Sequence, residues 1–131
     1  MSLSEDDALK AYARMLNRSE PNDFLALLAH DFVYTSHWVF KDITSASEFE
    51  AYIRPKLDVV RSSGATVYAE LGRVRDPFRG EERACVILAQ DGRDDLAGLA
   101  FADVAGDDVT RVSLQIVPDV HTAQRSGVYP S

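Results

Sequence analysis

Apolar residues recur along this chain with two different periods, and each period predicts its own elements. From Glu5 to about Arg18, Leu9, Tyr12, Ala13 and Leu16 stand at i, i+3, i+4 and i+7, which predicts an amphipathic helix. Ser4 suits its N-cap, and Glu5, Asp6 and Asp7 complement the positive end of its dipole. After "RSEP" a second short helix carrying Phe24, Leu25, Leu27 and Leu28 is expected to run to about Ala29, with Pro21 tolerated in its first turn. Residues 32 to 40 then alternate, with Phe32, Tyr34, Ser36, Trp38 and Phe40 on one side and Val33, Thr35, His37 and Val39 on the other. That is a strand pattern.

The helical period returns in "TSASEFEAYIRPKLDVVRSSG". Ser45 precedes Glu48 by three residues, a capping-box spacing, and Phe49, Tyr52, Ile53, Leu57 and Val60 follow at helical intervals. Pro55 lacks a backbone donor and clashes with the preceding turn, so a kink or break is expected near Arg54. From Thr66 the period changes to two in "TVYAELGRV", "RACVILAQ", "LAGLAFADV" and "VTRVSLQIV", joined by short links rich in Gly and Asp. Four strands in an antiparallel meander are predicted. The tail from Asp119 to Ser131 lacks periodicity, a pattern compatible with a disordered end.

Two helices, a strand, a helix and four strands make an α+β domain, with helices gathered on one side of an antiparallel sheet. Such a sheet, curved around a long helix, forms a cone whose mouth the first helices partly close, and the space between helices and sheet is the expected ligand pocket. The 131 residues suffice for a single domain, with a core over about 5–118 and the tail over about 119–131.

Composition narrows the functional classes. Apolar residues at 46% and charged residues at 27% are ordinary for a soluble globular protein. A net charge of -7 with scattered Lys and Arg argues against nucleic acid as a partner. The longest uninterrupted apolar run, Ala84 to Ala89, is too short to span a bilayer, so no membrane partner is expected. "MSLSEDDALK" lacks the basic start and apolar stretch of a signal peptide, and Cys85 is alone, so no intrachain disulfide forms; a cytoplasmic protein is the simplest expectation.

Candidate chemistry concentrates in "AHDFVYTSHWVF", residues 29 to 40. Ser36 and His37 are strand neighbours projecting to opposite faces, so they cannot form a nucleophile pair. His37 is expected to face solvent or a partner surface unless a bulge turns it. His30, Asp31 and His37 match no familiar metal-ligand spacing, His121 near the tail adds little, and no metal or cofactor is expected. Cys85, within an apolar run, is a small buried hydrophobe rather than a nucleophile. No glycine cluster forms a phosphate-binding loop.

Tyr12, Tyr34, Trp38 and Tyr52 each join an apolar body to one polar atom able to orient a ligand, yet the same residues serve equally well as core. Among the acids, Glu70 shares its strand side with Tyr68 and is expected to be exposed. Asp103 has the parity of Leu99 and Phe101 and is a candidate for the pocket rim, although aspartate beside a turn is common for local reasons. Gln115 can only hydrogen-bond. On the last strand Val112, Leu114 and Ile116 should face the core, leaving Arg111, Ser113 and Gln115 outside.

The chain resembles the nuclear transport factor 2-like superfamily, which includes ketosteroid isomerases and polyketide cyclases of the SnoaL type. The residues that carry the resemblance are "YARMLNRSEPNDFLALLAHDFVYTSHW", the helix after "DIT", and "DDVTRVSLQIV" as final strand, so it covers about residues 5 to 118. It implies a cystatin-like, cone-shaped α+β barrel with an internal pocket. In ketosteroid isomerases a carboxylate on the first strand is the general base, and matching "LAHDFVYTS" to that strand puts Ser36 in its place. The family's oxyanion hole pairs a phenol with a protonated acid. Tyr12 matches the phenol's position, whereas the acid's position falls near Leu99.

The resemblance thus implies a pocket for a small apolar organic ligand, lined by Tyr12, Leu16, Phe32, Tyr34, Ser36, Trp38 and Tyr52, with Tyr12 and Tyr34 as catalytic candidates. The function expected is ligand binding, with isomerase, cyclase or dehydratase chemistry by metal-free proton transfer. The alternatives are a non-catalytic binding module and a dimeric interaction domain. In many relatives the outer sheet face forms a homodimer, and the same is expected here.

Overall fold

The computed structural model describes residues 2–37, 41–64, 66–75 and 80–131. Trp38, Val39 and Phe40 lie outside the described residues, and with them the expected pocket role of Trp38.

Helix α1 spans Glu5–Arg18. The Ser4 side chain accepts a hydrogen bond from the Asp7 N–H while Asp7 accepts from the Ser4 N–H, so two of the helix's orphan donors are satisfied reciprocally. Helix α2 is only Asn22–Leu25, and strand β1 occupies Leu28–Ser36. The expected second helix was therefore too long. Strand β5 (Asp108–Gln115) explains the difference, because the Val109 N–H donates to the Leu27 carbonyl at 2.8 Å and Leu28 pairs with Val109, drawing 27–28 into the sheet.

Helix α3, Ala46–Ser63, runs through Pro55 without the break expected near Arg54. Pro55 and Ala51, whose carbonyl loses its helical donor, are both exposed, so water can satisfy that carbonyl. Ser45 caps the helix by accepting from the Glu48 N–H at 3.1 Å, and Glu48 reaches one residue further back, to the Thr44 N–H.

Strands β2 (Val67–Arg75), β3 (Glu82–Gln90), β4 (Leu96–Ala105) and β5 (Asp108–Gln115) form the predicted meander. The sheet order is β1-β5-β4-β3-β2-β6, with β1 parallel to β5. Strand β6, Gln124–Arg125, was not anticipated; it follows a short 3-10 turn at Val120–Thr122 and pairs with β2. The tail is thus built onto the sheet edge, and Asn17 Nδ2 reaches it by donating to the Pro130 carbonyl at 2.7 Å. The curved sheet does not close, so the expected barrel is open between β1 and β6.

Each face of the sheet has its own apolar cluster. The inner one joins Ala69, Val86, Leu88, Ala100, Val112 and Leu114 to Leu9 and Tyr12 of α1 and to Phe49, Ile53 and Leu57 of α3. Phe24, Phe32 and Phe49 are fully buried there and meet edge to face. Burying each contributes about 1.5–3 kcal/mol relative to exposure. The outer cluster joins Val74, Cys85, Ile87, Leu99 and Phe101 beneath Val120 of the 3-10 turn. Ile116, expected in the core, is exposed just beyond the end of β5. Among the described residues no helix is long and apolar enough to cross a membrane.

Candidate functional site

Between α1, α3 and the inner sheet face lies a cavity of about 370 Å³. Helical spacing aims Tyr12 and Leu16 of α1 into it, and likewise Tyr52, Ile53, Lys56, Leu57 and Val60 of α3. Strand alternation delivers Tyr34 and Ser36 from β1, and β2 to β5 supply Val67, Leu88, Gln90, Ala97 and Leu114. A second cleft, of about 340 Å³, lies at the β2–β6 edge beside Asp6, Lys10, Arg73 and Arg125. Charged side chains there share the walls with Leu9, Leu71, Ala84 and Cys85, and the cleft is more open to solvent than the inner cavity, whose more enclosed and more extensive apolar lining better matches a small-molecule site.

Five of the residues expected at the pocket therefore meet at one cavity: Tyr12, Leu16, Tyr34, Ser36 and Tyr52. Phe32 does not join them. It points to the same side as Tyr34, as alternation requires, but is sealed behind the wall with its ring 5.2 Å from that of Phe49.

The polar atoms of this wall are linked. Tyr34 lies beside Ser36 and Tyr52, both of which bear on its phenol, and its ring lies 5.6 Å from the Tyr52 ring. Lys56, one helical turn beyond Tyr52, donates from Nζ to the Tyr52 hydroxyl at 3.0 Å and stands 5.3 Å over the same ring. Burial raises the Tyr34 phenol well above the ordinary phenol range; Tyr12 and Tyr52 push the same way, and Ser36 opposes them. Tyr12 is also raised, by burial first and Tyr52 second. Both phenols consequently remain neutral hydrogen-bond donors throughout the physiological range.

Sequence reasoning missed Lys56 and Gln90. The available signal for Lys56 was its i+4 relation to Tyr52, which puts both on one helix face. The acids stand elsewhere. Leu99, near the expected position of the family's acid, packs in the outer cluster, and the β4 side chain that does line the cavity is apolar Ala97. Asp103 is not at the pocket rim; it pairs with Arg83 at 2.9 Å on the outer face. Glu70 also projects outward, yet it is buried rather than exposed, because the tail covers it.

His30 and His37 are exposed and neither lines the cavity. Among the described residues no three His, Cys, Asp or Glu side chains converge as a metal site. Burial pushes the Cys85 thiol up to about 12, which makes it a poor nucleophile.

No protein-family model matches this chain, and no curated protein is similar to it in sequence. Its structure is similar to solved ones at low identity. A nuclear transport factor 2-like protein of unknown function from Cytophaga hutchinsonii has a TM-score of 0.60 at 9% identity, over 88% of this chain and 91% of that one. A candidate polyketide cyclase from Xanthomonas campestris gives 0.57 at 18% identity, over 90% and 95%. A candidate ketosteroid isomerase from Kribbella flavida gives 0.55 at 18% identity, over 82% and 73%. Other matched proteins are described as having a cystatin-like fold. Curved sheet, enclosing helices and these similarities agree: the chain has the nuclear transport factor 2-like, cystatin-like α+β fold.

Proposed function

We propose that this protein binds a small, largely apolar carbonyl compound in the inner cavity and assists proton transfer beside that carbonyl, as an isomerase, cyclase or dehydratase would. The observation that carries this reading is the convergence of Tyr12, Tyr34 and Tyr52 on one apolar cavity, with Tyr34 beside Ser36 and Tyr52. Neutral phenols aimed at a carbonyl oxygen stabilise the negative charge that enolisation places there. Tyr12 and Tyr34 are the proposed donors. Lys56, which donates to the Tyr52 hydroxyl, adds positive charge beside the developing enolate, and the α-proton passes to solvent. The candidate cyclase and isomerase with this fold support the reading, although a fold hosts many activities.

One observation favours a second reading, binding without turnover: no carboxylate lines the cavity among the described residues, and the family resemblance matches Ser36 to the position of an isomerase's base. Exchange of the α-protons of 2-tetralone in deuterium oxide, followed by NMR, separates the two. The catalytic reading expects exchange faster than buffer that is lost in Tyr34→Phe. Saturable binding without faster exchange overturns it and leaves the binding module.

We further propose a homodimer through the outer sheet face, where Arg111, Ser113 and Gln115 align on β5 beside the Arg83–Asp103 pair. Sedimentation at twice the 14.5 kDa chain mass is the expected result, and a monomer at micromolar concentration overturns it.

A further inference from the structure

Helix α3 carries three cations, and two of them are matched by acids of the same helix. Arg54 lies 2.8 Å from Glu50, and Arg61 lies 3.8 Å from Asp58. Lys56 has no carboxylate partner among the described residues; its ammonium is spent on the Tyr52 hydroxyl and ring. It is also the only charged side chain among the described residues that line the inner cavity. Because Lys56 is exposed and yet part of that lining, it stands where the cavity meets solvent.

An ammonium has three donors, and the hydrogen bond to Tyr52 uses one. Two remain for a ligand at the opening. The chain as a whole carries a net charge of -7, so this end of the cavity reverses the prevailing sign. Exposed acids farther than about 8 Å are largely screened at physiological ionic strength, and no carboxylate lines this cavity among the described residues, so Lys56 sets the sign of charge within its wall.

We propose that the molecule bound in this cavity is an apolar acid, with a carboxylate that meets Lys56 and Tyr52 at the opening while its body fills the space between α1, α3 and the sheet. Lys56 is then the residue that determines specificity. The inference rests on the reading of the cavity as a small-molecule site and adds the charge of its ligand. A carboxylate fits better than a phosphate. Phosphate recognition recruits several donors, such as an arginine fork or a nest of backbone N–H groups, whereas one lysine and one phenol match a singly charged, two-oxygen group.

Two probes of equal shape test this: naphthalene-2-carboxylate and naphthalene-2-carboxamide, each displacing the neutral dye Nile red from the protein. The amide carbonyl can accept from the phenols as well as a carboxylate can, so the cavity reading alone expects equal binding. With Lys56 as the determinant, the carboxylate binds on the order of tenfold more tightly, the size of a partly exposed charge-assisted hydrogen bond. Lys56→Met abolishes that preference and leaves amide binding intact, whereas Lys56→Arg keeps it. Should Lys56→Met fail to fold, added sodium chloride replaces it, shrinking the preference of the unaltered protein toward unity.

Equal binding of the two probes, or a preference that survives Lys56→Met or high salt, overturns the inference. If Nile red and the amide bind while the carboxylate does not, the inference fails and the cavity reading stands. If neither probe nor dye binds, both fail.

Discussion

Glu70 on β2 and Arg125 on β6 meet at 2.8 Å with the carboxylate almost wholly buried, joining the center of the sheet's edge to a tail that has no apolar period of its own. Glu70 also accepts from the Gly127 N–H at 2.7 Å and from the Tyr129 hydroxyl at 3.3 Å. Arg125 extends the chain of contacts outward to Asp94 at 2.8 Å and to the Arg93 carbonyl. Asn17 completes the attachment from the other side, since its amide bonds both the Ala69 backbone and the Pro130 carbonyl.

The two carboxylates that share Arg125 should differ sharply in what they contribute. Glu70→Ala leaves an N–H, a phenol and part of a guanidinium without their acceptor, so a loss of about 1–3 kcal/mol is expected. This lies below the about 3–5 kcal/mol typical of breaking a fully buried pair because the Arg125 side chain stays 34% exposed. Asp94→Ala removes a side chain 90% exposed and should cost less than about 1 kcal/mol. Urea unfolding of the two variants measures the contrast. Equal losses would show that the tail is not held through Glu70.

How far the sequence told this story depends on whether the decisive contact is local. Capping at Ser4, the helical period through Leu16, and the strand side shared by Tyr34 and Ser36 are local properties, and each was legible. Alternation states which side a residue faces but not how deep it lies. Phe32 therefore shares Tyr34's side and is still sealed from the cavity behind Phe49. Glu70 shows the same limit in reverse: its outward direction was legible, but its burial depends on Gly127 and Tyr129, more than fifty residues away. The start of β1 likewise rests on a bond from Val109. Lys56 was hidden because a lysine on a helix reads as solvated surface until the sheet brings Tyr34 to its neighbour Tyr52.

The buried phenols make stability fall in alkali. Tyr12 and Tyr34 have folded-state pKa values above the ordinary 10.0, burial being the main cause in both. Below about pH 10 they are neutral in both folded and unfolded chains. Above it the unfolded chain releases protons that the folded chain retains, so the unfolded state is favoured progressively as pH rises. The slope approaches about 1.4 kcal/mol per pH unit for each such group. Urea unfolding between about pH 8 and pH 11 should show this decline, and Tyr34→Phe should make it shallower. Tyrosinate absorbance supplies an independent check: ionisation of these two phenols should coincide with unfolding rather than precede it. Five tyrosines ionising together near pH 10 in the folded protein would contradict the burial of Tyr12 and Tyr34.

Pro55, exposed on α3 and not itself part of the cavity wall, offers a gain in stability. It occupies the interior of α3, where it removes the donor that the Ala51 carbonyl would otherwise receive. Proline costs about 3 kcal/mol relative to alanine in an unperturbed helix, but the exposure of Ala51 and Pro55 lets water recover part of that cost. Proline also restricts the unfolded chain, which offsets a further part. Pro55→Ala should therefore stabilise the protein by about 1–2 kcal/mol, seen as a higher urea midpoint with an unchanged slope. The neighbouring Lys56 and the Tyr52 it bonds are the sensitive readout of whether α3 has changed course. If Pro55 sets the direction of the helix across the sheet, Pro55→Ala will stabilise the fold while weakening Nile red binding. If the helix is already straight through this turn, stability will rise and binding will not change. A loss of stability would mean that the proline is required where it stands, and that the packing of Ile53 and Leu57 depends on the turn it shapes.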